Sequence, residues 1–256
     1  MRALVTGAGS RLGAAMARAL AGAGHDVVLH YRSDEAGAQA GAEAIRSEGR
    51  RGAALGADLR DPEACAALVG RAAEALGGAV DVLVNNASLF ERDEIESATP
   101  DGWARNLDVN LRAPFLLTQS FAAQAPEAGS DGEPLATGVV VNMIDERVRK
   151  LTPHFMTYTL AKSALWTFTR TAAQALAPRI RVNAIGPGPT LRAAQQSEAH
   201  FTAQRAGTPL GRGAHPDDIC DALLYLVGAR AVTGQLLCVD GGQHLGWRTP
   251  DVIGTL

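Results

Sequence analysis

"VTGAGSRLGAAMARAL", residues 5–20, decides the fold. It leaves a short apolar run, "RALVT" (2–6), and opens a helical stretch near 11–23. Gly7, Gly9 and Gly13 permit a tight turn and close backbone approach to a diphosphate, and the helix N-terminus beyond supplies free N–H groups and a positive dipole end. An ordinary βα turn can hold glycines too, so the triplet gains weight only from its place between strand and helix.

The same rhythm continues outward. Strand candidates are 2–6, "DVVLHY" (26–31), "RGAALGA" (51–57), "VDVLVN" (80–85), "GVVVNM" (138–143), "RIRVNAI" (179–185) and "QLLCVD" (235–240). Helical stretches lie near 11–23, 34–48, 61–76, 100–125, 152–177 and 215–228. Alternating β and α with doubly apolar strands predicts an α/β fold, a parallel sheet covered by helices on both faces. Right-handed crossovers make it a doubly wound sheet of about seven strands. Two segments break the pattern. "APEAGSDGEPLATG" (125–138) reads as a surface loop. The stretch from "GPGPTLRAAQQSE" (186–198) onward is too long for a plain connection, so about 189–214 is expected to form a substrate lid. Neither segment resembles an interdomain linker, and no internal repeat is visible, so one domain over 1–256 is expected.

Bulk properties exclude several classes. The 256 residues are 46% hydrophobic and 20% charged, with net charge -3, which gives no electrostatic case for nucleic acid or an anionic membrane. No apolar run approaches the roughly 20 residues that span a bilayer. "MRALVTGAG" goes directly into strand and turn, unlike a secretory signal. Cys65, Cys220 and Cys238 are scattered, which points to reduced thiols in a cytoplasmic protein. His154, His200 and His215 lack metal-ligand spacing, so no metal is expected.

The second strand ends in "LHYRSDE" (29–35). Its tip carries His30, Tyr31, Arg32 and Ser33, and the acids Asp34 and Glu35 come only afterwards. A guanidinium with a nearby hydroxyl suits a ribose 2′-phosphate, whereas an acid at this place suits a free 2′-hydroxyl, so the tip favours NADPH over NADH. Alternatively Arg32 is merely solvated; Asp34 caps the next helix in either case.

"LTPHFMTYTLAKSALWTFTRTAAQALAP" (151–178) reads as a long helix with Thr152 as cap, Pro153 in the first turn and Pro178 at its end. Tyr158 and Lys162 lie on one face, one turn apart. An ammonium beside a phenol favours phenolate, so Tyr158 is expected to titrate below its usual value and to serve as a proton donor. Y-x-x-x-K alone is common; its pairing with the glycine turn gives it meaning.

With these motifs the chain resembles the short-chain dehydrogenase/reductase family from end to end. "TGAGSRLG", "VNNAS", "LDVN", "YTLAK", "RVNAIGPG" and "VTGQLLCVDGG" occur in the family's order and at similar spacing. The resemblance implies a Rossmann-type sheet in strand order 3-2-1-4-5-6-7, an NADP-binding oxidoreductase, and usually a homotetramer, or else a dimer. It implies cofactor contacts from Thr6, Gly7, Gly9, Arg11, Leu12 and Gly13, from the 30–33 tip, and from Asp58 and Leu59 around the adenine. It implies further contacts from Asn86, Ala87 and Ser88, from Pro187, Gly188 and Thr190, and from Lys162 at the nicotinamide ribose. Asn110 would prop a helix and complete a proton relay with Tyr158 and Lys162.

Two departures narrow the resemblance. Arg11 replaces a usual glycine of the turn, and Asp145 stands where a serine usually orients a substrate carbonyl. Both are similar to the pteridine reductase branch, which includes dihydromonapterin reductases, as are "HYR" and "NNASLF". In that branch Arg11 and Ser88 would sit near the substrate, and Phe90 would lie over a pterin ring. Reduction of a C=N bond needs hydride at carbon and a proton at nitrogen. A carboxylic acid whose pKa is raised by burial can supply that proton, so Asp145 is expected to act with Tyr158. Alternatively Asp145 is a solvated carboxylate paired with Arg147 or Arg149, and Phe90 a plain loop anchor. Reduction of a ketone or 3-oxoacyl thioester, and a non-catalytic NADP-binding regulator, stand as rival functions.

Overall fold

The computed structural model describes residues 1–193, 196–249 and 252. In chain order the elements are β1 (Arg2–Val5), α1 (Arg11–Gly22), β2 (Asp26–Tyr31), α2 (Glu35–Ser47), β3 (Gly52–Gly56), α3 (Pro62–Leu76), β4 (Val82–Asn85), α4 (Pro100–Leu107) and α5 (Ala113–Gln124). There follow β5 (Gly129–Ser130), β6 (Pro134–Leu135), β7 (Gly138–Met143), α6 (Met156–Leu176), β8 (Ile180–Pro187), α7 (Glu198–Ala206), α8 (Pro216–Gly228) and β9 (Leu236–Val239).

The main sheet has seven strands in the order β3-β2-β1-β4-β7-β8-β9, and every pairing in it is parallel. With the two-residue strands β5 and β6 set aside, this is the expected 3-2-1-4-5-6-7. Alternation along each strand divides the core. Ala3, Val5, Val27, Leu29, Val82, Val84, Val139 and Val141 face the side covered by Met16, Leu20, Ile45 and Leu223 of α1, α2 and α8. Leu4, Val28, Leu83, Val140 and Val182 face Leu68, Leu76, Leu117 and Phe121 of α3 and α5 on the other side. Each such leucine, fully buried, contributes roughly 1.5–3 kcal/mol. The sheet order reverses around β1, which opens a crevice at the strand C-termini beside β4.

Four local differences from the sequence reading have physical causes. The expected helix 100–125 is α4 and α5 joined by a π-helical turn, Asp108–Arg112, that turns Asn110 inward, where it is wholly buried. The expected helix from 152 begins instead at Met156. Thr152 does not cap it: its hydroxyl accepts from Arg147 and reaches the His154 carbonyl. Phe155 is the capping residue, in the left-handed region at φ 57, and it has no side-chain oxygen. The free N–H groups are satisfied from a distant loop by Asp93. Surface loop 125–138 carries the β5–β6 hairpin, and α7, capped by Ser197, lies within 189–214. Residues 194 and 195 of the expected lid lie outside the described residues.

No helix among the described residues is long and apolar enough to cross a membrane. All three cysteines are free thiols, with Cys65 and Cys220 buried.

Candidate active site

The glycine turn after β1 is built for close approach. Gly7 has φ +63, and a Cβ on Gly13 would stand 2.2 Å from the Gly7 carbonyl oxygen. The turn is locked from behind. Asn86 Nδ2 donates to the Thr6 and Gly7 carbonyls at 2.8 and 3.0 Å, and Thr6 Oγ1 accepts from the Asn86 and Ala87 amides at 2.9 and 3.0 Å. Thr6 is 1% exposed, and its hydroxyl braces β1 against the end of β4. His30 is also spent internally: Nδ1 accepts from the Gly7 amide and Nε2 donates to the Ala57 carbonyl, each at 3.1 Å. Burial lowers its pKa, which keeps it neutral and suits this tautomer.

Around this turn lies a cleft of about 380 Å³. Gly7, Gly9, Arg11, Leu12, Gly13, His30, Tyr31, Arg32, Ser33, Asp58, Leu59, Asn86, Ala87 and Ser88 line it. Asp34 caps α2 by accepting from the Gly37 amide. Asp58 is held by hydrogen bonds from the Arg60 guanidinium, which bring its carboxyl down to about 2. A cradle that even a Cβ would fill, followed by a helix N-terminus and two exposed arginines (Arg11 and Arg32), fits a phosphorylated dinucleotide.

Arg11 takes the left-handed region at φ 53. Its guanidinium spans from the turn to the 189–214 segment, donating to the Leu191 and Arg192 carbonyls at 3.4 and 3.0 Å. Arg205 of α7 ties the two ends of that segment, donating to the carbonyls of Pro189 and Ala214 at 2.7 Å and Gly213 at 3.1 Å. Pro187 ends β8, Gly188 packs so tightly on Asp240 that a Cβ would lie 2.6 Å from its Cα, and Thr190 is buried with its hydroxyl donated to the Gly188 carbonyl.

Beyond the turn, β7 delivers Asp145 to the first turns of α6. The Tyr158 hydroxyl donates to Asp145 Oδ2 at 3.0 Å, and Asp145 Oδ1 accepts from the Arg147 amide at 2.8 Å. The Arg147 guanidinium turns elsewhere, to the Thr152 hydroxyl and over the Phe155 ring at 5.2 Å. Burial raises the Asp145 pKa, against the opposing pull of the Arg147 amide and charge, Tyr158 and Lys162.

The expected lowering of the Tyr158 pKa is overturned. Burial first, and then the Asp145 carboxylate, raise it well above its ordinary value. Lys162 cannot offset this: its Nζ donates to the Met143 carbonyl at 2.8 Å and stands 5.6 Å from the centre of the Tyr158 ring. Burial lowers Lys162 itself to about 8.

Asn110 is tied directly to the loop after β4. Its side chain accepts from Ser88 Oγ at 2.7 Å and the Leu89 amide at 3.2 Å, and donates to the Leu89 carbonyl at 2.9 Å. It fixes the loop after β4 and makes no side-chain bond to Tyr158 or Lys162. Phe90, 37% exposed, stacks on Phe155 at 4.1 Å and meets the Tyr158 ring edge-on at 4.8 Å.

Sequence reasoning missed Phe155, Asp93, Arg205 and Glu146. Glu146 is 5% exposed, and its Oε2 has no hydrogen-bond partner among the described residues. Burial, with the charges of Asp145 and Asp240, pushes its carboxyl up to about 7. Its position immediately after Asp145 was the one available signal. Among the described residues no group of His, Cys, Asp and Glu could hold a metal ion.

Comparison with known proteins agrees with this architecture. A family model described as enoyl-(acyl carrier protein) reductase matches residues 7–244. An uncharacterized oxidoreductase of Methylorubrum extorquens is 37% identical over 94% of this chain and 96% of its own length. The 3beta-hydroxysteroid dehydrogenase 1 of Eggerthella lenta is 35% identical over 94% and 93%. Among solved structures, FolM alternative dihydrofolate reductase 1 from Brucella suis in complex with NADP is 41% identical, with a TM-score of 0.91 over 98% of this chain and 97% of that one. Its counterpart from Brucella canis, also complexed with NADP, is 40% identical with a TM-score of 0.89 over the same shares. The glycine turn between β1 and α1, the Tyr158–Lys162 pair on α6 and this end-to-end likeness lead to one conclusion: the chain belongs to the short-chain dehydrogenase/reductase family of oxidoreductases.

Proposed function

We propose that the protein is an NADPH-dependent reductase of a pterin-like heterocycle, a dihydropteridine, dihydromonapterin or dihydrofolate. The observation that carries this reading is the 3.0 Å hydrogen bond between Tyr158 and Asp145, because it puts a carboxyl with a raised pKa beside the phenol. A serine at this place could orient a carbonyl; an acid can also hand over a proton. The likeness to two alternative dihydrofolate reductases solved with NADP supports both the cofactor and the heterocycle.

The residues divide the work. The 7–13 turn with Arg11 receives the diphosphate, Arg32 and Ser33 the 2′-phosphate, and Asp58 and Leu59 the adenine. Ala87, Ser88, Pro187, Gly188 and Thr190 border the nicotinamide side. NADPH, when bound, supplies hydride to the ring carbon of a C=N bond. The ring nitrogen takes its proton from the Tyr158–Asp145 pair, so two electrons and two hydrogens are accounted for. Lys162, anchored on Met143, keeps a positive charge near that pair and reaches the ribose hydroxyls. Phe90 forms an aromatic wall beside Tyr158, worth roughly 0.5–1.5 kcal/mol of stacking beyond burial. Residues 189–193 and 196–214 close over the substrate, with Arg11 as the latch.

The chain acts as a homo-oligomer in this reading. Trp103 of α4, Phe115 of α5 and Leu160 of α6 are 46%, 46% and 47% exposed, and in this reading a second copy of the chain covers them.

Steady-state assays with NADPH and dihydrobiopterin, dihydromonapterin, dihydrofolate or a 3-oxoacyl thioester test the function. Turnover of at least one of the three heterocycles is expected. Activity on the thioester alone would replace this reading with carbonyl reduction.

A further inference from the structure

We propose that Asp93 is the cap of the catalytic helix α6 and a positioning residue for the reaction. It sets the angle at which Tyr158 meets Asp145. The inference rests on the reading that Tyr158 and Asp145 share the transferred proton.

The first N–H groups of a helix need acceptors from outside it. α6 cannot supply one locally, because its capping residue is Phe155, in a left-handed conformation. Asp93 fills the gap from the loop after β4. Its backbone carbonyl accepts from the Phe155 amide at 2.8 Å and the Met156 amide at 3.4 Å. Its Oδ1 accepts from the Thr157 amide at 3.2 Å, and its Oδ2 from the Thr157 hydroxyl at 2.5 Å. A carboxylate at this end also complements the helix dipole. Thr157 is 1% exposed, so its hydroxyl has no water to fall back on.

The residue after Thr157 is Tyr158. Asp145, its partner, comes from a different element, the turn after β7. The 3.0 Å bond between them therefore depends on how the first turn of α6 is held against the sheet. The same loop is fixed a few residues earlier, where Asn110 grips Leu89 on both its amide and its carbonyl. Between the two anchors stands Phe90, stacked on Phe155 and edge-on to Tyr158. Asp93 thus aligns the proton donor and the aromatic wall together.

The test uses the full chain, NADPH, and whichever acceptor it reduces fastest among dihydrobiopterin, dihydromonapterin, dihydrofolate and a 3-oxoacyl thioester. Asp93→Ala is expected to lower kcat about 10- to 100-fold, the usual cost of misplacing reacting groups by an ångström. KM for NADPH stays within about twofold, because the cofactor turn is braced elsewhere. The alkaline limb of the kcat–pH profile shifts as the two acids separate. Asp93→Asn, which keeps a carbonyl oxygen for the Thr157 amide, recovers most of kcat. Thr157→Val lowers kcat by about three- to tenfold with the same KM, and it decides the matter alone if Asp93→Ala does not fold. Wild-type kcat and pH profile in Asp93→Ala or in Thr157→Val would overturn the proposal, as would Asp93→Asn no better than Asp93→Ala. Tyr158→Phe is the control. If it is inactive while the Asp93 variants are normal, only the cap is wrong; if it is fully active, the catalytic reading itself falls.

Discussion

Tyr158 donates its hydroxyl proton to Oδ2 of Asp145 across 3.0 Å, and loss of water around the buried tyrosine and the half-buried aspartate raises both groups above their ordinary values. Such a pair holds and releases protons as one unit. Its members come from different elements, which makes their separation sensitive to the packing of α6 on the sheet.

Removing either acid is expected to separate chemistry from binding. Tyr158→Phe should lower kcat about 10²–10⁴-fold. Asp145→Ser should lower the rate on the heterocycles while the NADPH dissociation constant stays nearly constant. Stopped-flow hydride transfer and fluorescence titration of the cofactor measure the two. A normal transfer rate in Asp145→Ser would remove the carboxyl from the chemistry.

The pH dependence follows from the direction of the Asp145 shift. Its pKa in the folded protein lies above the usual carboxyl value, so the protonated acid persists at a pH where an exposed aspartate has lost it. Reduction consumes that proton. The rate should therefore be full at acidic pH and fall as pH rises through the pair's apparent value. Profiles of kcat from about pH 5 to 9 should show this limb in the wild type and its displacement in Asp145→Asn; superimposable profiles would contradict it.

Arg32 should discriminate between coenzymes. It is exposed at the tip of β2 and lines the cleft. A charge-assisted bond to a phosphate contributes roughly 1.5–3 kcal/mol. Arg32→Ala should weaken NADPH about tenfold or more and leave NADH almost unchanged, with a shallower salt dependence. Equal losses for the two coenzymes would take Arg32 out of the phosphate site.

Glu146 should make stability depend on pH. Its carboxyl titrates near 4.5 when exposed and at about 7 in the fold. The folded state thus binds a proton that the unfolded state has lost between those values, and stability falls as pH climbs through that window. Glu146→Gln should raise stability by about 1–3 kcal/mol above neutral pH and change little at or below pH 4.5, where Glu146 is already neutral. Denaturant melts at several pH values measure this; an equal gain at every pH would contradict it.

Local patterns in the chain determined the α/β alternation, the glycine turn, the strand limits of β2 and β7, and the i, i+4 pairing of Tyr158 with Lys162. Each depends on residues within a few positions of one another, and backbone geometry translates such spacing directly into shape. Tertiary structure alone decided that Asp145 reaches Tyr158, that Thr6 and Asn110 brace the site from within, and that α6 begins at Met156 under Asp93, which binds Thr157 from 64 positions away. It also reversed the expected titration of Tyr158. One ammonium nearby is a local fact, but burial is a property of the whole fold, and here the loss of water, with the Asp145 carboxylate, sets the direction.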